Sequence, residues 1–240
     1  MNVMNGQTVL ITGASGGMGK ATALQLAAKG ANLVLAARNY LALNDVAQAA
    51  QALGAKTLVV SADVSRQAQV ADLMSEITAT FGTLHALVNC AGLGILKPAA
   101  ELTEDDLDQM YAVNTKGVIL ASRAAAVEMA KTKGGKIITP VGTMGRFVMR
   151  GSTGYSASKW GAVGALKAMA TEWQRQGVSF SLLYLGGVDT PFWDHIDMKV
   201  QRDKMLTADD AARAIVYALE AAPNGVMNEI TLQPDSHQLF

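Results

Sequence analysis

The sequence contains a single cysteine, Cys90, so no internal disulfide can form, which fits a reducing cytoplasm. Three histidines lie far apart along the chain, and a zinc site is not expected. Twenty basic residues balance twenty acidic ones, which leaves no cationic excess to neutralise nucleic-acid phosphates. There is no basic amphipathic segment to suit a membrane surface. No apolar run approaches the ~20 residues of a membrane span, and the first apolar segment begins so near Met1 that no signal peptide is expected. Linkers, repeats and low-complexity stretches are also missing. With half of its 240 residues hydrophobic, the chain is expected to fold as one soluble α/β domain over residues 1–240.

The order of elements follows from periodicity. Thr8-Val9-Leu10-Ile11 is a short apolar run, and a helical stretch follows it to Lys29. The alternation repeats through Leu33-Val34-Leu35, Leu58-Val59-Val60, Ala86-Leu87-Val88, Lys136-Ile137-Ile138, Phe180-Ser181-Leu182-Leu183 and Glu229-Ile230-Thr231-Leu232. Continuous apolar runs separated by helices predict strands buried on both faces. The expected fold is therefore Rossmann-like, a doubly wound seven-stranded parallel sheet with helices on both faces. Thr103-Glu104-Asp105-Asp106 and Thr207-Ala208-Asp209-Asp210 match a capping-box pattern, each predicting a helix start.

After the first strand stands Thr12-Gly13-Ala14-Ser15-Gly16-Gly17-Met18-Gly19. Glycines between strand and helix let the backbone approach a pyrophosphate, whose charge the helix amides favour. The second strand ends at Ala37, near the place where an acid would bind the ribose hydroxyls of NAD, and Arg38 follows. A guanidinium there can pair with a 2′-phosphate, which favours NADP over NAD. Asp63, after the third strand, could take a hydrogen bond from the adenine amine, although such an aspartate is also a common turn residue. Tyr155 and Lys159 stand four apart, on one face of an expected helix, so the ammonium could stabilise phenolate and lower the tyrosine pKa.

Taken together, these segments resemble the single-domain, NADP-preferring branch of the short-chain dehydrogenase/reductase family over essentially the whole chain. Thr12 to Gly19 resembles its T-G-x-x-x-G-x-G loop, Asn89-Cys90-Ala91-Gly92 its N-N-A-G segment, Asn114 its active-site asparagine, and Tyr155 with Lys159 its Y-x-x-x-K pair. The resemblance implies NAD(P)-dependent carbonyl reduction or alcohol oxidation. Tyr155 would be the general acid, Lys159 would tune it and hold the nicotinamide ribose, and Asn114 would position a water. Asn89, Ala91 and Gly92 would form the floor beneath the cofactor, with Ser15, Gly16, Gly17, Met18 and Val64 along its phosphate and adenine end. Leu185-Gly186-Gly187-Val188-Asp189-Thr190 resembles the family's P-G-x-V-x-T segment. It makes Gly186, Val188 and Thr190 nicotinamide contacts and puts Leu185 where proline is usual.

A second feature departs from the family. The serine that normally polarises the substrate carbonyl is replaced by Gly142, and Thr143 is the nearest hydroxyl. An extended chain would turn Thr143 to the opposite side unless a local bulge re-aimed it.

The leading expectation is an NADPH-dependent reductase of a small or medium hydrophobic ketone. A secondary-alcohol dehydrogenase and a catalytically impaired NADP-binding scaffold are the alternatives. Phe192, Trp193 and Met198 would either cover the substrate from a lid or belong to a short amphipathic helix packed on the sheet, and Phe147, Met149 and Met144 would line the opposite wall. Arg146 and Arg150 are either solvated or ligands of an acidic group. The resemblance also implies a homotetramer or homodimer built on the helices around Asn114 to Lys131 and Ser156 to Arg175. The second carries a stripe of Trp160, Ala162, Ala165, Met169 and Trp173 that fits either an interface or the core.

Overall fold

The computed structural model describes residues 3–132, 134–222 and 224–236. Strand β1 (Thr8–Thr12) leads into helix α1 (Gly17–Ala27), and β2 (Asn32–Ala37) into α2 (Tyr40–Ala52). Next come β3 (Thr57–Ser61), α3 (Gln67–Phe81), β4 (Ala86–Asn89) and α4 (Glu104–Met110). A π-helical segment, Tyr111–Gly117, joins α4 to α5 (Val118–Ala130). Then follow β5 (Gly135–Pro140), α6 (Thr153–Trp173), β6 (Val178–Leu185), the short β7 (Val188–Asp189) and β8 (Leu206–Thr207), α7 (Ala208–Leu219) and β9 (Glu229–Leu232). All seven strands expected from the apolar runs are present, in one parallel sheet of order β3-β2-β1-β4-β5-β6-β9.

Alternation along each strand divides the apolar run between two cores. Val9, Ile11, Leu33 and Leu35 face one side and pack with α1, α2 and α7 residues such as Leu26, Leu43 and Ile215. Leu10, Val34 and Ile137 face the other, with Leu73, Ile77, Met129 and Leu166 from α3, α5 and α6. This two-sided burial is why the strands read as unbroken hydrophobic segments. The helical stripe on α6 divides: Ala162 and Met169 enter the second core, Trp173 packs against it, and Trp160 turns outward at 51% exposure.

Both capping boxes form. Thr103 and Thr207 each accept from the amide three residues on, while Asp106 and Asp210 reach back to the cap amides. Each cap contributes about 1 kcal/mol. Lys136 reaches from β5 to donate to the carbonyls of Leu219 (2.8 Å) and Ala221 (2.8 Å), which closes the C-terminus of α7.

The strand order reverses between β1 and β4, the switch point beyond whose carboxyl ends a doubly wound sheet opens a crevice. The loops after β1, β4, β5 and β6 meet there.

Candidate active site

A cleft of about 1390 Å³ lies at this switch point. Its lining includes Gly13, Ser15, Gly16, Gly17, Met18, Gly19, Arg38, Asp63 and Val64 at one end. Ala91, Gly92, Thr143, Tyr155, Lys159, Gly186, Val188 and Thr190 line the other. A second depression of about 810 Å³ between α1 and α7 contains none of these residues.

The glycine loop is built on backbone contact. A Cβ on Gly13, whose φ is 67°, would come within 2.6 Å of the Ala91 amide nitrogen, and one on Gly19 would overlap the Gly13 carbonyl oxygen. The loop is thereby pressed against both the chain beyond β4 and the first turn of α1. Around Gly16 nothing lies within 4 Å of a Cβ position, so this stretch at the start of α1 is open to the cleft. Amides there face a space suited to phosphate. Asp63 is the only carboxylate lining the described cleft, against Arg38, Lys159, Lys199 and Lys204, so the space favours an anion.

Arg38 is exposed at the end of β2, and Asn39 behind it caps α2 by accepting from the Ala42 amide (3.1 Å). One Asp63 oxygen accepts from the Ser65 amide (2.9 Å), as a turn aspartate does, and the side chain still lines the cleft. Partial burial acts to raise the Asp63 pKa. The hydrogen bonds from Ser65 and the charges of Arg38 and Arg66 outweigh it, and the carboxyl ends below its ordinary range.

Asn89 and Asn114 stand behind the wall and do not line the cleft. The Asn89 amide nitrogen donates to Ser122 Oγ (2.9 Å) and Thr139 Oγ1 (3.0 Å), fastening β4 to α5 and β5. Asn114, fully buried in the π-helical segment, donates to the Leu93 carbonyl (2.7 Å) and Ser158 Oγ (2.9 Å) and accepts from the Leu93 amide (2.9 Å). Both donors of each amide are spent on the chain itself. Asn114 therefore joins the loop after β4 to α6, one residue before Lys159.

Tyr155 and Lys159 lie one turn apart in the first half of α6. Among the described residues the Tyr155 hydroxyl and the Lys159 ammonium have no hydrogen-bond partner, and the ammonium stands 5.5 Å from the tyrosine ring centre. The expected lowering of the tyrosine pKa is not found. Burial raises the Tyr155 phenol well above its usual value, and burial lowers Lys159 to about 8, only partly opposed by Cys90. Desolvation outweighs the attraction between ammonium and phenolate, because both charged forms lose water. Cys90, beside them, is pushed up by burial to about 12, so its thiol is not a nucleophile at neutral pH.

The turn after β5 brings Thr143 to the cleft. The amides of Val141 (2.9 Å) and Gly142 (3.3 Å) both donate to the Leu183 carbonyl, a bulge-like arrangement of two residues against one. Gly142 then adopts φ 75° and ψ 163°, a region essentially reserved for glycine. Thr143 begins the next turn, lines the cleft and has no side-chain partner among the described residues.

Arg146 is not available to a substrate. It pairs with Glu229 on β9 and lies 4.1 Å over the Tyr184 ring. Arg150, Phe147 and Met198 do not line the cleft, whereas Met144, Met149, Phe192 and Trp193 do. Several lining residues carried no sequence signal, among them Leu93, Leu96, Gln109 and Val113. Only the run Gly92-Leu93-Gly94-Ile95-Leu96, directly after the Asn89 segment, marks that wall in the sequence.

The model of the short chain dehydrogenase family matches residues 7–201. The chain belongs to that family. A short-chain dehydrogenase is an oxidoreductase, and the chain is an NAD(P)-dependent enzyme acting on CH–OH or C=O groups. An uncharacterised oxidoreductase of Staphylococcus epidermidis is 31% identical over 228 residues, spanning 95% of this chain and 97% of its own. Another, from Staphylococcus aureus, is 32% identical over 234 residues, spanning 98% and 100%. Among solved structures, an alcohol dehydrogenase from the archaeon Thermococcus sibiricus, complexed with 5-hydroxy-NADP, superposes with a TM-score of 0.91 at 28% identity, covering 98% of this chain and 99% of its own. A metagenomic short-chain oxidoreductase in complex with NADP gives 0.84 at 29% identity, covering 96% and 98%. Among the described residues of this short-chain dehydrogenase no helix is long and apolar enough to cross a membrane.

Proposed function

We propose that this short-chain dehydrogenase is an NADPH-dependent reductase of a small or medium hydrophobic ketone. The observation that carries the reading is the Tyr155 hydroxyl, without a hydrogen-bond partner among the described residues, one turn from Lys159 at the apolar end of a cleft whose other end carries Arg38. A phenol carries its proton at neutral pH, and reduction needs a proton donor at the carbonyl oxygen.

Gly13, Ser15, Gly16, Gly17, Met18 and Gly19 would hold the pyrophosphate, Arg38 the 2′-phosphate, and Asp63 and Val64 the adenine side. Ala91, Gly92, Gly186, Val188 and Thr190 would surround the nicotinamide, with Asn89 supporting the floor from behind. Bound there, the nicotinamide supplies a hydride to the carbonyl carbon. Tyr155 gives its hydroxyl proton to the carbonyl oxygen, and the resulting tyrosinate, stabilised by the Lys159 ammonium, regains a proton from solvent. Thr143, re-aimed by Gly142, donates a hydrogen bond to the carbonyl in place of the missing serine. Asn114 acts by holding Leu93 and Ser158, and so the position of Lys159. Leu93, Leu96, Val113, Met144 and Met149 give the substrate end its apolar character. The protein works in the cytoplasm as a homotetramer or homodimer, in which the exposed Trp160 and Tyr111 would be covered.

The test is a panel of ketones, quinones and 3-oxoacyl thioesters with NADPH and with NADH. Oxidation of NADPH by a hydrophobic ketone, faster than that of NADH, is the expected result. Tight NADPH binding with no oxidation by any member would overturn the reading in favour of a scaffold.

A further inference from the structure

The lid that follows β7 is anchored at several points. Arg202 Nε reaches Asp189 (2.5 Å), its terminal nitrogens reach Asp194 (2.6 Å) and the Thr190 carbonyl (3.0 Å), and Trp193 Nε1 donates to the Val188 carbonyl (2.9 Å). These contacts fix the turn Pro191–His195 and with it Phe192. The Phe192 ring meets the Trp193 ring edge-on at 5.3 Å and lies 5.8 Å from the Tyr155 ring, tilted by 50°. The tip of the ring abuts Gly94. A Cβ added to Gly94 would stand 2.5 Å from Phe192 Cε2 and would overlap Cζ.

Two consequences follow from this packing. Any side chain at position 94 must push the ring away from its place beside Tyr155, because the lid itself is tied down. And a carbonyl brought to the Tyr155 hydroxyl shares the cleft with the Phe192 ring, whose centre lies 5.8 Å from that of Tyr155, and with the flexible thioethers of Met144 and Met149. Thioethers adapt in shape and pack well on aromatic rings, while a fixed phenyl ring rewards a flat partner over a puckered one of equal size.

We propose that Gly94 and Phe192 together form the selecting wall of the substrate slot, which favours a ketone whose carbonyl is attached to an uncharged aromatic ring. Gly94 contributes by having no side chain. This rests on the reductase reading above and adds the substrate class to it.

The experiment compares acetophenone with cyclohexyl methyl ketone, which match in size and differ in flatness. The quantity is the aryl-to-cyclohexyl ratio of kcat/KM with NADPH in the wild type, Gly94→Ala, Phe192→Leu and the double variant. The ratio should exceed one in the wild type and fall about two- to tenfold in each single variant, the range that an aromatic pair supplies. The double variant should fall no further than the lower single, since both changes act through one ring position. Quenching of tryptophan fluorescence, read with each ketone and NADP⁺, reports binding without turnover. A ratio unchanged in Phe192→Leu, or changed there but not in Gly94→Ala, overturns the proposal. So does a rise of both ketones together in Phe192→Leu, which would make Phe192 a plug. If neither ketone is reduced but binding keeps the aryl preference and loses it in both variants, the reductase reading fails and the wall stands.

Discussion

Replacing Thr143 by valine removes a hydroxyl and little else. The residue is 8% exposed, its hydroxyl has no partner among the described residues, and valine keeps the β-branched shape. No hydrogen bond within the chain is lost, so the folding stability of Thr143→Val should stay within about 1 kcal/mol of the wild type. For a chain of this length that is a shift of about 2–4 °C in Tm. Turnover should respond very differently. Loss of one donor at a developing oxyanion costs about 10²–10³ in kcat, or roughly 3–4 kcal/mol of barrier. Steady-state NADPH oxidation and a thermal melt on the same preparation separate the two quantities, and Thr143→Ser should restore most of the rate. A Thr143→Val enzyme with kcat within threefold of the wild type would refute the assignment. Reinstating the family's serine is the less informative change. The φ of 75° and ψ of 163° at Gly142 penalise any side chain by about 1–3 kcal/mol, so Gly142→Ser should melt lower and gain no rate, although a Cβ there has room.

Three further outcomes are expected. Thr22 Oγ1 is buried on α1 with no partner among the described residues, so Thr22→Val should raise stability by about 1 kcal/mol in urea unfolding, and a decrease would contradict that reading. His85 accepts from the Thr8 amide through Nδ1 (2.9 Å), and burial holds its pKa below the ordinary 6.5. The unfolded chain therefore binds the proton first, and stability is lost as pH falls below about 6.5, at no more than about 1.4 kcal/mol per pH unit, a slope that His85→Gln should remove. Arg38→Ala should weaken NADP binding by about ten- to a hundredfold and leave NAD binding nearly unchanged in calorimetric titrations.

Much of the fold was legible because its signals are local. Unbroken apolar runs, the glycine loop and the two capping boxes each occupy a few consecutive residues, and each became the element expected. The Tyr155 and Lys159 pair was legible for the same reason, since helical spacing alone places both on one face. Side-chain pairings across the chain left no such trace. Arg146 looked like a surface arginine because Glu229, its partner, is 83 residues away. Asn114 and Asn89 looked like cleft residues, yet their donors are taken by groups 21 to 50 residues distant. The tyrosine pKa was misjudged because spacing reports the neighbouring charge and says nothing of burial. Gly142 lay between these cases: the sequence suggested a bulge, and only the backbone angles revealed how Thr143 reaches the cleft.

The most direct test of the account is Tyr155→Phe. Hydride transfer from NADPH to a reducible hydrophobic ketone should fall by at least about 10³ in single-turnover stopped flow, while the Kd for NADPH changes less than threefold. Retention of turnover within tenfold of the wild type would contradict the claim that the Tyr155 hydroxyl supplies the proton.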